Sequence, residues 1–255
     1  MRKGCAIIAV LVAVTLCLPC WQGNDRAAAT EINVLPYYGA NNLKAGDYYV
    51  YSYDTPGGTP DFTVILTQVT TGSFAGNYRL GDFQLVGKGT DWRIMEWDAT
   101  GITIHETGLA GVLSPPLIID ALQPLETLIN FPINGSLYQE LVNYWHYKEL
   151  DTSVTVPAGT FTDVLLNFVF DETVGPNDVN AYFDLDPTTV PYGITEVTWL
   201  AAGVGEIQVA DINAATGEVV SLYQLKATSV PLPASVLLLG SGLLGLIGWR
   251  KWTDR

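Results

Sequence analysis

Apolar and polar positions alternate through most of the central chain. Residues 48–53 read Tyr-Tyr-Val-Tyr-Ser-Tyr, and Pro56-Gly57-Gly58 close that run. Asp61–Thr70 (DFTVILTQVT) is rich in β-branched residues, Asn77–Val86 alternates in part, and Asp91–Trp97 (DWRIMEW) alternates clearly. Gly101–Thr107 (GITIHET) follows a turn at residues 98–101. Short runs broken by turn residues about every ten positions predict antiparallel strands, and no stripe of period 3.6 competes with them. In residues 108–137 the pattern lapses: Pro115-Pro116, Pro124 and Pro132 interrupt an apolar stretch (LIIDALQPLETLIN), for which one short helix or a buried crossing loop is expected. Strand character returns at Tyr138–Leu150. It continues through Ser153–Val156, Thr160–Phe170, Val179–Asp184, Thr195–Ala201, Glu206–Ile212 and Glu218–Ala227. The expected body, residues 30–229, is mainly β: a single antiparallel domain, as a curved sheet, half-barrel or sandwich, with ten to twelve strands and at most one short helix.

The two ends have a different pattern. Met1-Arg2-Lys3 is basic, Ala6–Leu18 is apolar, Pro19 ends the run, and Ala27-Ala28-Ala29 precedes Thr30. This is the layout of a secretory signal peptide over residues 1–29, with cleavage between Ala29 and Thr30 by signal peptidase after Sec export. At the other end Val230-Pro231-Leu232-Pro233-Ala234 leads into ASVLLLGSGLLGLIG, and Trp249-Arg250-Lys251-Trp252 follows. Residues 234–252 are just long enough for a transmembrane helix across a hydrocarbon core of about 30 Å. Four glycines make it a weak one. Arg250 and Lys251 form the cytoplasmic basic stop, which leaves the body on the periplasmic side of the inner membrane.

A Pro-x-Pro motif, a glycine-interrupted apolar helix and a terminal basic cluster resemble the PEP-CTERM sorting signal, and Val230–Ala234 resembles its VPLPA-type variant. Pro231-Leu232-Pro233 stands where the name-giving motif has Pro-Glu-Pro. The resemblance implies a Gram-negative bacterium and an exosortase, a membrane protease-transpeptidase that cuts near the motif. The cargo then goes to the cell surface or the extracellular exopolysaccharide and biofilm matrix. Inside the body, Val154–Phe161 (VTVPAGTF) and Trp199–Ile207 (WLAAGVGEI) resemble signatures of exported bacterial β-proteins, some of them similar to the curved half-barrel of lipoprotein carriers. In bare geometry, Pro157-Ala158-Gly159 is a tight link between two strands, and Gly203-Val204-Gly205 is a turn or bulge between two more.

Charge narrows the partners. The body holds six Lys/Arg against 24 Asp/Glu, a formal balance of −18, which repels phosphate backbones and excludes nucleic acid bound through a basic face. All three cysteines (Cys5, Cys17, Cys20) precede residue 30, so the body has no thiol for a disulfide, a zinc site or a nucleophile.

Candidate chemistry is sparse. His105 lies in an alternating strand beside Glu106, and His146 sits in Tyr144-Trp145-His146-Tyr147, an aromatic cluster that could stack on sugar rings. No nucleophile elbow, phosphate loop or His-Glu-x-x-His helix is present. Acids gather between Asp171 and Asp186, but their spacing does not match the EF-hand loop, and solvated loop acids are expected there. Asn134-Gly135-Ser136 fits a glycosylation sequon. No catalytic residue, cofactor or metal site is expected. The expectation is a non-enzymatic cargo protein, structural or binding, in or beside the exopolysaccharide matrix. The alternatives are an apolar-ligand carrier with residues 108–137 as a lid, a secreted hydrolase, or a permanently anchored protein.

Overall fold

The computed structural model of the chain describes residues 30–230, except 41, 55–60, 86–88, 134–135 and 137–140. The signal peptide, Pro231–Ala234 and Arg250-Lys251 therefore lie outside the described residues, as does most of the sequon.

Two antiparallel meanders make up the body. The first runs through β2 (Tyr48–Asp54), β3 (Phe62–Gln68), β4 (Tyr78–Leu85), β5 (Gly89–Trp97), β6 (Gly101–Thr107) and β7 (Gly111–Asp120). The second runs through β9 (Leu128–Ile133), β10 (Leu141–Leu150), β13 (Val164–Asp171), β14 (Gly193–Ala201), β15 (Gly205–Ile212) and β16 (Val219–Thr228). β16 pairs with β2, so the meanders fuse into one 12-stranded sheet with β7 and β9 at its edges. Four short strands form two separate pairs, β1 (Glu31–Asn33) with β8 (Leu122–Pro124) and β11 (Val154–Val156) with β12 (Gly159–Phe161). Pro157-Ala158 joins β11 to β12, and Ala202–Val204 turns β14 into β15, where the two signatures place them.

The described residues of 108–137 contain neither the helix nor the crossing loop expected of them. They form β7, β8 and β9. The prolines explain the difference. A proline lacks an N–H and is tolerated in a sheet only where no neighbouring strand needs that donor. Pro115-Pro116 lie in β7 and Pro132 in β9, the two edges. The edges nevertheless approach one another: the Ser136 N–H donates to the Val112 carbonyl at 2.9 Å, and the Val112 N–H donates to Ser136 Oγ at 3.1 Å.

Curling lets one face of the sheet pack on itself. Ile102, Ile104 and Ile119 of β6 and β7 share a core with Tyr147 of β10, Leu165 of β13 and Leu200 of β14. These side chains are 0–4% exposed, and burial of each large apolar group contributes roughly 1.5–3 kcal/mol. The segment after β1 wedges into one end of this core, with Val34, Leu35 and Ala40 buried. Gly39 sits at φ +70°, where a Cβ would lie 2.9 Å from the Val204 carbonyl oxygen, so only glycine passes this point without displacement.

The expected strand at Val179–Asp184 is instead α1 (Asp178–Tyr182), the one helix among the described residues. Asn177 caps it, accepting from the N–H groups of Val179 and Asn180, while Asn180 Oδ1 accepts from the Asn177 N–H at 3.0 Å. That reciprocal box fixes a turn of helix where the residue pattern suggested a strand.

Candidate functional site

Strand parity separates the residues singled out from sequence. His105 Nε2 lies 3.0 Å from Glu96 Oε1 on β5, and its ring stacks on Phe74 at 5.2 Å. Glu106, its sequence neighbour, pairs with Ile94 across a bulge at His105, so simple alternation does not hold there. His146 is 1% exposed on the outer face, edge-on to Phe168, and Nε2 is 3.7 Å from Glu126 Oε2. Burial, reinforced by Lys148, pushes its pKa down to about 4, so the ring is neutral at physiological pH. The aromatic cluster around it is no sugar platform. Tyr144 and His146 face one side of β10, Trp145 and Tyr147 the other, and Tyr147 is fully buried.

Two acids of 171–186 serve the local backbone. Asp171 accepts from the N–H and hydroxyl of Thr173, and Asp186 does the same for Thr188. These contacts hold both carboxyls below the usual carboxylate range.

The inner face carries polar groups that sequence reading passed over. One register row runs from Tyr147 on β10 through Asn167, Thr198, Val209 and Tyr223 to Tyr53 on β2. On the next row Glu196 stands directly opposite Asp211. Thr198 Oγ1 donates to Glu196 Oε1 at 3.0 Å, while Ser221 and Tyr223 hydroxyls both donate to Asp211 Oδ2. Burial pushes Glu196 up to about 7, with Asp211 and Glu206 adding to the rise and Arg93 opposing it. Glu206 is likewise raised by burial against Arg93. The space between Tyr38, Tyr51, Arg93, Met95 and Glu206 is about 50 Å³, room for water and too little for an acyl chain. The signal for this cluster was present. Glu196 shares strand parity with Leu200, two apolar-face positions away.

The outer face has a larger concavity. α1 stands off the sheet, and Val179, Tyr182 and Phe183 face Val197 and Trp199 of β14 with Ala210, Ile212 and Val219 beyond, around a groove of about 350 Å³. Its lining is almost wholly apolar, with Asp178 at the rim. Tyr182 is 82% exposed, the most exposed of the large apolar side chains described. Phe183 meets Tyr182 at 5.0 Å and Trp199 at 6.1 Å, both edge-on. Tyr182 and Trp199 are 17 residues apart and no local pattern links them.

Of the processing residues, Val230 is described. It is 2% exposed and belongs to the core cluster of Tyr49 and Leu225. Thr30, at the other boundary, is exposed.

A family model described as the PEP-CTERM protein-sorting motif matches residues 229–251. The chain therefore carries the sorting signal of exosortase substrates and is an exported protein. Four solved chains are similar to it, of which two are described. One is a candidate lipoprotein from Parabacteroides distasonis, 12% identical over 73% of this chain and 96% of that one, with a TM-score of 0.36. The other is a candidate exported protein with a YmcC-like fold from Bacteroides fragilis, 10% identical over 73% and 96%, with a TM-score of 0.32. No curated protein matches the chain significantly.

Proposed function

We propose that the chain is a transiently anchored cargo protein whose body acts outside the inner membrane as a non-catalytic binding module for a neutral or amino-sugar polysaccharide of the surface matrix. The α1 groove carries this reading. Sugar rings have apolar C–H faces that pack on aromatic rings, and hydroxyl edges that donate to carboxylates. The groove supplies both, through Tyr182 and Trp199 beside Asp178. A body balance of −18 disfavours uronate or phosphate polymers, which selects neutral or amino sugars. On this reading signal peptidase cuts after Ala29, Arg250-Lys251 hold the tail end in the cytoplasm, and an exosortase cuts within Val230–Ala234.

The test is affinity electrophoresis of the purified protein in gels containing neutral, amino-sugar or uronate polymers. Retardation is expected in the first two. Tyr182→Ala should weaken binding about tenfold, the equivalent of one lost aromatic stack near 1.4 kcal/mol. Its melting temperature should stay within about 2 °C of wild type, because the side chain is exposed. Equal retardation of wild type and variant would remove the groove from the argument.

A further inference from the structure

Ser229, the first residue of the matched sorting motif, is bound on several sides by the start of β2. Its N–H donates to the Tyr48 carbonyl at 3.1 Å, and its Oγ accepts from the Tyr48 N–H at 2.9 Å. The same hydroxyl donates to Asp47 Oδ1 at 3.1 Å. Asp47 is 3% exposed, and its other oxygen accepts from the Lys44 N–H at 2.8 Å. One residue earlier, Thr228 Oγ1 donates to the Tyr48 carbonyl and accepts from the Val230 N–H, each at 3.0 Å. Val230 itself is buried. Two residues of the motif are thus part of the folded body.

A protease binds its substrate extended, with several residues on each side of the scissile bond paired in the cleft. Ser229 and Val230 already spend those backbone groups on β2 and Thr228. Freeing them would uncover Val230 and leave the buried Asp47 carboxylate short of a donor, which costs more than an ordinary surface hydrogen bond. We infer that this latch of Asp47, Tyr48 and Ser229 sets the N-terminal limit of the processing segment. The chain open to the exosortase begins at Pro231, and the released body keeps Ser229 and Val230. The position of β16 gives the latch its value: β16 joins the two meanders by pairing with both β15 and β2, so trimming into its end would loosen the middle of the sheet rather than an edge.

The inference rests on the sorting reading only for the identity of the enzyme, so two digests separate them. The full chain in detergent micelles is treated with proteinase K, and the C-terminus of the resistant body is read by intact mass. The mature protein from the extracellular fraction is weighed alongside. Both wild-type masses should end at Val230 or later. In Ser229→Ala and Asp47→Asn, each checked for β content by circular dichroism, the proteinase K product ending before Ser229 should rise about tenfold. A wild-type body ending at Ser229 or earlier in either sample overturns the latch, as does an unchanged digest in both variants. Failure to find any released body defeats the sorting reading alone, because the micelle digest still decides the latch.

Discussion

Glu196 shows how far one residue's environment departs from its letter. It sits on the inner face opposite Asp211, and burial with that neighbour pushes its pKa up to about 7 from an ordinary 4.5. Between those values the folded protein holds a proton that the unfolded chain has released. This contribution is therefore fully present in acid and is lost as pH rises through about 7. Glu196→Gln removes the titration but keeps the shape. Its melting temperature should exceed that of wild type at pH 8, with the gain shrinking towards pH 5. Calorimetry of both proteins across that range checks this, and a pH-independent difference would exclude Glu196 as the titrating group. The two histidines were visible by type, but their partners were not. Glu96 reaches His105 from the neighbouring strand, and Phe168 covers His146 from another.

At the scale of elements, α1 and the two edge strands were misread for the same reason. Local pattern scores side-chain polarity and is blind to where backbone donors go. Asn177 was the available sign for the helix, since Asn three residues ahead of another Asn allows the reciprocal cap. Its Nδ2 also donates to the Ala214 carbonyl at 2.9 Å, tying α1 to the turn before β16. Asn177→Ala should destabilise the protein by about 1–2 kcal/mol, a cap and one tertiary hydrogen bond, read from the urea midpoint at unchanged slope. The variant should also weaken polysaccharide binding, because α1 forms one wall of the groove. The prolines of β7 and β9 were read as breakers, yet at an edge they mark where a sheet stops.

The whole molecule couples a curled sheet to a sorting tail. β16 runs from the α1 groove to the latch, ten residues and thus about 33 Å at strand rise. The proposed binding groove therefore lies at the end of β16 away from Ser229. On the proposed reading, Pro231→Ala combined with Pro233→Ala should leave the full-length chain in the inner-membrane fraction, because proline disfavours helix in the residue before it and its loss would make the segment a poorer protease substrate. Immunoblots of membrane and extracellular fractions read this directly, and undiminished release would sink the role assigned to Pro231 and Pro233.

The sequence alone determined the β class, the strand spacing, the Pro157-Ala158 and Gly203–Gly205 turns and the sorting motif, because each depends on neighbours within a few residues. Periodicity, turn chemistry and an apolar tail are local properties. Tertiary structure decided the rest. Which of β7 and β9 became edges, which acids met on the inner face, and how Tyr182 came to stand near Trp199 depend on pairings between distant strands. Ser229 meets Asp47 across 182 positions of sequence, and only the closing of β16 on β2 brings them within hydrogen-bond reach.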